Sequence, residues 1–146
     1  MQAELEKYAQ FVETTLRPQL TDALARRDAL NEQIQEYENL VEMVQDKIAQ
    51  DAKDQAWKLQ ADLGKQCFVK VKVPPQTQVV VHIGLQVFVE MKADEVPKFV
   101  KTRVQVLQAQ REQHQTKARE IASHIQQVLD SIEQLAKLQQ LEQSTN

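Results

Sequence analysis

Glycine occurs only twice in this chain, at Gly64 and Gly84, and both positions lie in its middle third. On either side runs a glycine-free stretch with a regular apolar repeat. From Leu30 the apolar positions are Leu30, Ile34, Tyr37, Val41, Val44 and Ile48, spaced by 4, 3, 4, 3 and 4 residues, which is the alternation of a coiled-coil seam. The second stretch keeps that alternation through Val100, Val104, Leu107, Arg111, His114, Ala118, Ile121, Ile125, Val128, Ile132 and Leu135. Only Arg111 and His114 break it chemically. The predicted fold is mainly α: two long antiparallel coiled-coil helices joined by a small β-hairpin insert.

Composition agrees with an elongated coiled coil better than with a globular core, because 42% of the 146 residues are hydrophobic but only 5% are aromatic. A net charge of -3 with interspersed signs gives no basic stripe of the kind that phosphate binding needs, so no nucleic acid is expected. The first ten residues lack the regions of a signal peptide, and no run approaches the ~20 apolar residues that span a bilayer. An intracellular, soluble protein with no membrane partner is the expectation. The single cysteine, Cys67, cannot form an internal disulfide.

The first helix is predicted over about residues 4–61, with a kink at Pro18 and a stop at Gly64. Between Lys65 and Lys92 the period falls from 3.5 to 2. Cys67, Val69, Val71 and Val73 share one face, with Lys70 and Lys72 opposite. Pro74 and Pro75 end this strand, Gln76 to Gln78 turn, and Val79, Val81 and Ile83 begin a second strand that Gly84 interrupts. A third strand is read as Leu85, Val87, Val89 and Met91. Three short segments make a marginal sheet whose edges invite partners, so residues 65–92 form an assembly insert. Asp94 is the expected N-cap of the second helix, over about residues 94–142 with Pro97 in its first turn. The antiparallel return then places Leu5, Tyr8, Phe11, Leu135, Leu138 and Leu141 at one distant tip, with no third element to bury them.

The catalytic inventory is nearly empty. No glycine-rich phosphate loop is possible, and no Cys or His pair has metal-ligand spacing, so neither cofactor nor metal is expected and the chain is not read as an enzyme. Arg111 and His114 read as polar seam residues that fix alignment, and His82 and His124 as surface or packing residues. Cys67 reads as a buried small hydrophobe, Trp57 as the cover of a helix-to-sheet junction, and Asp46 to Lys58 as a solvated helix face.

The insert carries an ordered series of short motifs: Asp62-Leu63-Gly64, Phe68-Val69, Val73-Pro74, Val81, Ile83-Gly84, Phe88-Val89-Glu90, and then Phe99. Between two coiled-coil helices this order resembles the α class of prefoldin subunits. Lys7-Tyr8, Phe11, Leu16, Leu20 and Arg27-Asp28 extend the resemblance into the first helix. Gln86 departs from it, standing where the family often has a second glycine, and so does Pro97, inside the usually uninterrupted start of the second helix.

The resemblance implies a non-enzymatic subunit that joins other prefoldin-family α and β subunits in a hetero-hexamer through its β segments. Phe68, Val69, Val71, Val79, Val81, Ile83, Val87, Phe88 and Val89 are the candidate assembly residues. Leu5, Tyr8, Phe11, Leu135, Leu138 and Leu141 are the candidate contacts for clients or adaptor proteins. It further implies a co-chaperone complex working with RuvB-like ATPases in assembling RNA polymerases, with transcription regulation and a cytoplasmic and nuclear location. Alternatives are the general cytosolic prefoldin hexamer, which delivers unfolded proteins to chaperonin, and a nuclear transcriptional co-regulator scaffold.

Overall fold

Pro18 does not end the first helix; it changes its winding. In the computed structural model, which describes residues 2–145, α1 (Gln2–Phe11) passes through a π-helical turn, Val12–Leu16, into α2 (Arg17–Ala52). The Arg17 N–H bonds the Val12 carbonyl, five residues back. A proline ring collides with the carbonyl four residues before it, here that of Thr14, and the wider π turn relieves that clash without stopping the helix. Val12 and Leu16 remain buried within the turn.

The predicted extension of the first helix to residue 61 is corrected: α2 ends at Ala52. Asp54 adopts a left-handed conformation (φ 52°), the Gln55 N–H bonds the Gln50 carbonyl at 2.9 Å, and the Asp54 N–H bonds the Asp51 carbonyl at 3.1 Å. That is a Schellman stop, with aspartate where glycine is usual. The freed segment forms an additional strand, β1 (Trp57–Asp62), which pairs antiparallel with β2 (Phe68–Val73). Gly64 therefore belongs to a hairpin loop. Its N–H bonds Asp62 Oδ1 at 2.7 Å, and the Leu63 and Cys67 backbones close the turn behind it. Nothing stands near the site of its absent Cβ, so its φ of 87° is what favours glycine there.

A second hairpin pairs β3 (Val79–Gly84) with β4 (Val87–Met91). The insert thus holds four strands in two separate two-stranded sheets, where three were expected. Leu85 is not in a strand. It and Gln86 form the turn, both at positive φ, and Leu85 is almost wholly exposed. A short 3-10 turn, Ala93–Glu95, leads into α3 (Val96–Thr145). Asp94 is not the cap: the Glu95 carboxylate reaches back to the Lys92 N–H at 3.1 Å, and the Glu95 N–H bonds the Lys92 carbonyl.

The chain divides into two compact units. The first contains Gln33–Leu107. Its core is Val44, Val81, Ala93, Val96 and Val100, with Tyr37, Leu40, Val41, Ile48, Val79, Met91, Phe99 and Val104 packed around them. Hairpin β3–β4 is thereby fastened to the helices by its inner face. The Tyr37 hydroxyl donates to the His82 carbonyl at 3.0 Å, and its ring meets that of Phe99 edge-on at 6.3 Å.

The second unit contains the chain up to Glu32 and from Gln108 onward. Val12, Leu16, Ala23, Ala118 and Ile121 are buried there. Arg27 Nη1 donates to Gln115 Oε1 at 2.8 Å, and Arg111 Nη1 donates to Asn31 Oδ1 at 3.2 Å. Partners descend on α3 as they ascend on α2, which shows the antiparallel pairing directly. Arg111, a seam position in the sequence, thus bonds from α3 to α2. Among the described residues no helix is long and apolar enough to cross a membrane.

Candidate assembly surface on the hairpins

Strand alternation gives hairpin β1–β2 two unlike faces. Trp57, Leu59 and Ala61 stand opposite Val73, Val71 and Val69, while Lys58, Gln60 and Asp62 stand opposite Lys72, Lys70 and Phe68. In β3–β4, Val79 faces Met91 and Val81 faces Val89 toward one side; Val80 faces Glu90 and His82 faces Phe88 toward the other. The rings of His82 and Phe88 lie 4.9 Å apart. Each sheet has only two strands, so every strand keeps one edge whose backbone groups have no partner within its sheet.

The nine candidate assembly residues separate under this geometry. Phe68, Val69, Val87, Phe88 and Val89 are exposed, at 39% to 63% of their full surface. Val71, Val79 and Ile83 are half-buried. Val81 is corrected: at 2% exposure it is a core residue of this chain and offers no free surface. Cys67 is corrected too, because it lies exposed in the loop before β2 instead of alternating into a core.

The stretch Asp46 to Lys58, read as a solvated face, instead holds the hairpins to α2. Trp57 is buried, and its Nε1–H donates to Asp46 Oδ2 at 3.0 Å, so tryptophan does cover the junction, though from a strand. Lys47 is 1% exposed and pairs with Asp51 at 2.8 Å. Asp51 also accepts the Gln76 N–H at 3.0 Å, and the Gln76 side chain donates to the Asp51 carbonyl. Gln76 (φ 63°) occupies the position of the Pro74–Thr77 turn that favours glycine. Partial burial pushes the Asp51 carboxyl up, but the Lys47 hydrogen bond, the Gln76 N–H and the Lys47 charge outweigh it and hold the group below its ordinary value. The i, i+4 spacing of Lys47 and Asp51 was visible in the sequence; their burial was not.

In the other unit, Tyr8 and Leu135 border one groove with His124, Val128 and Ile132. Phe11, Leu138 and Leu141 stay exposed, at 43%, 57% and 62%, and Leu5 is half-buried.

The sequence of these elements matches a known family along most of the chain. A profile described as "Prefoldin subunit" matches residues 16–138, across both units. The chain belongs to the prefoldin subunit family. Among curated relatives, it is similar to "Protein UXT homolog" of Nematostella vectensis, with 26% identity over 141 residues, 97% of this chain and 89% of that one. It is also similar to "Protein UXT" of Homo sapiens, with 28% identity over 133 residues, 91% of this chain and 83% of that one. Among solved structures it is similar to a filamentous PFD from Methanocaldococcus jannaschii, at TM-score 0.48 and 17% identity, covering 79% of this chain and 98% of that chain. Prefoldin subunits are chaperone-type proteins, and their fold implies oligomeric assembly with other prefoldin-like subunits.

Proposed function

We propose that this chain is a non-enzymatic α-class subunit of a prefoldin-like co-chaperone complex, built with other α and β subunits into a hetero-hexamer. The observation that carries the proposal is the pair of two-stranded hairpins with unpaired edges beside exposed Phe68, Val69, Val87, Phe88 and Val89. Exposed apolar strands with free edges are an aggregation hazard in an isolated chain and an assembly surface in a complex. Leu5, Tyr8, Phe11, Leu135, Leu138 and Leu141 then serve as contacts for clients or adaptors. The similarity to proteins named UXT is what favours that branch of the family over the general cytosolic hexamer. Work with RuvB-like ATPases in RNA polymerase assembly, a cytoplasmic and nuclear location and a share in transcription regulation belong to the same proposal.

Co-expression with β-class prefoldin subunits and native mass spectrometry test the assembly. A hexamer of mixed subunits is expected; a monodisperse monomer would end the proposal. Affinity purification from cells tests the branch, since RuvB-like ATPases as companions support it and chaperonin as companion points to the general cytosolic hexamer. Fluorescence microscopy of the tagged protein tests the location.

A further inference from the structure

The polar face of hairpin β1–β2 is basic in a chain whose net charge is -3. Between Trp57 and Val73 lie four lysines and one acidic residue, Asp62, whose carboxylate is engaged by the Gly64 N–H. Three of the lysines share one face. The register sets Lys58 directly opposite Lys72, and Gln60 opposite Lys70. Lys58, Lys70 and Lys72 are exposed and border a shallow concavity, and none joins an ion pair among the described residues. Like charges directly across a two-stranded ribbon repel, so the face is unfavourable alone and becomes favourable once carboxylates cover it.

We propose that this face docks an acidic strand from a different polypeptide, with carboxylates at alternate positions. The proposal rests on the assembly reading above and names the chemistry of one partner. A strand added beside β2 would pair with its free backbone edge, and the period of 2 would bring every second side chain toward Lys70 and Lys72. The residues between them would meet the side of Val69 and Val71, so the docking strand alternates acidic and apolar.

A second copy of this chain does not fit that description. Among its four strands the only acidic residues are Asp62 and Glu90, on different strands, and β2 laid against β2 would set lysines against lysines. The face is therefore specific for an unlike subunit. Nucleic acid fits less well than protein, because three lysines on one short hairpin neutralise few phosphates while the rest of the chain carries net negative charge.

The test is co-expression of the full chain with β-class prefoldin subunits, comparing wild type, Lys70→Arg/Lys72→Arg and Lys70→Glu/Lys72→Glu by native mass spectrometry and by affinity across a salt series. Wild type and the arginine variant are expected to assemble with salt-sensitive affinity. The glutamate variant is expected to bind about tenfold more weakly or worse while melting no lower than wild type by circular dichroism, since a carboxylate at position 72 faces Lys58. Lys70→Gln/Lys72→Gln, if the glutamates disturb the hairpin, should assemble with a flatter salt dependence. Assembly of the glutamate or glutamine variants with wild-type affinity and salt dependence would overturn this inference alone; failure of wild type to assemble would remove the parent reading as well. Loss of binding to a labelled single-stranded DNA oligomer, with assembly unchanged, would also overturn it and assign the face to nucleic acid.

Discussion

Lys47 and Asp51, one turn apart on α2, form a 2.8 Å ion pair with the lysine side chain almost completely out of solvent. The pair also grips the loop between the hairpins through the Gln76 N–H. Removing only the carboxylate strands a buried ammonium, which is the costly way to break such a pair. Asp51→Ala is expected to destabilise the protein by about 3 kcal/mol. Lys47→Met, which removes the buried charge and keeps the volume, is expected to cost less. Denaturant melts of the two variants check the order.

The same carboxylate predicts how stability responds to acid. Asp51 titrates below its ordinary value in the folded chain, so its contribution is present above the unfolded carboxylate pKa and is lost as pH falls through the lowered folded value. Stability measured from pH 7 downward should fall across that acidic window. Asp51→Asn should flatten the fall, whereas an equal slope in both proteins would assign the effect elsewhere.

Gln86 sits at φ 61° in the β3–β4 turn, directly after Leu85 at φ 50°. Neither has the freedom that two consecutive left-handed positions call for. Gln86→Gly is expected to stabilise the chain by about 1 kcal/mol, read as a rise in melting temperature. Asp54→Gly should act in the same direction, because Asp54 holds the left-handed position at the end of α2.

Phe11 and Leu138 are exposed on α1 and α3, so replacing them should not disturb packing. Phe11→Ser/Leu138→Ser is expected to leave the melting temperature unchanged and to weaken protection of a denatured client against aggregation, followed by light scattering. Full protection by the variant would remove the client role from these residues.

Much of this architecture was legible in the residues. The heptad seams named both helices, and the alternation of valines named β2 and β3, because each pattern reports which face is buried. β1 was missed. Its residues, Trp57 to Asp62, include lysine, glutamine, alanine and aspartate, which favour strands weakly, and the helix before it ends at an aspartate in a glycine's conformation. Leu85 was misplaced for a related reason: an apolar residue beside valines reads as strand, yet the turn geometry turns it outward.

Local pattern by itself determined the helix seams, the β character of the middle and the apolar residues left over at the ends, since periodicity and glycine placement act over a few neighbouring residues. Tertiary structure decided what those residues face. Val81 and Val89 look alike in sequence and stand opposite each other in one hairpin, but only Val81 meets Val44, Val96 and Val100 and disappears into the core. Lys47 likewise became an interior residue, and Lys58 and Lys72 became neighbours, because burial and register depend on segments far apart in the chain that folding brings together.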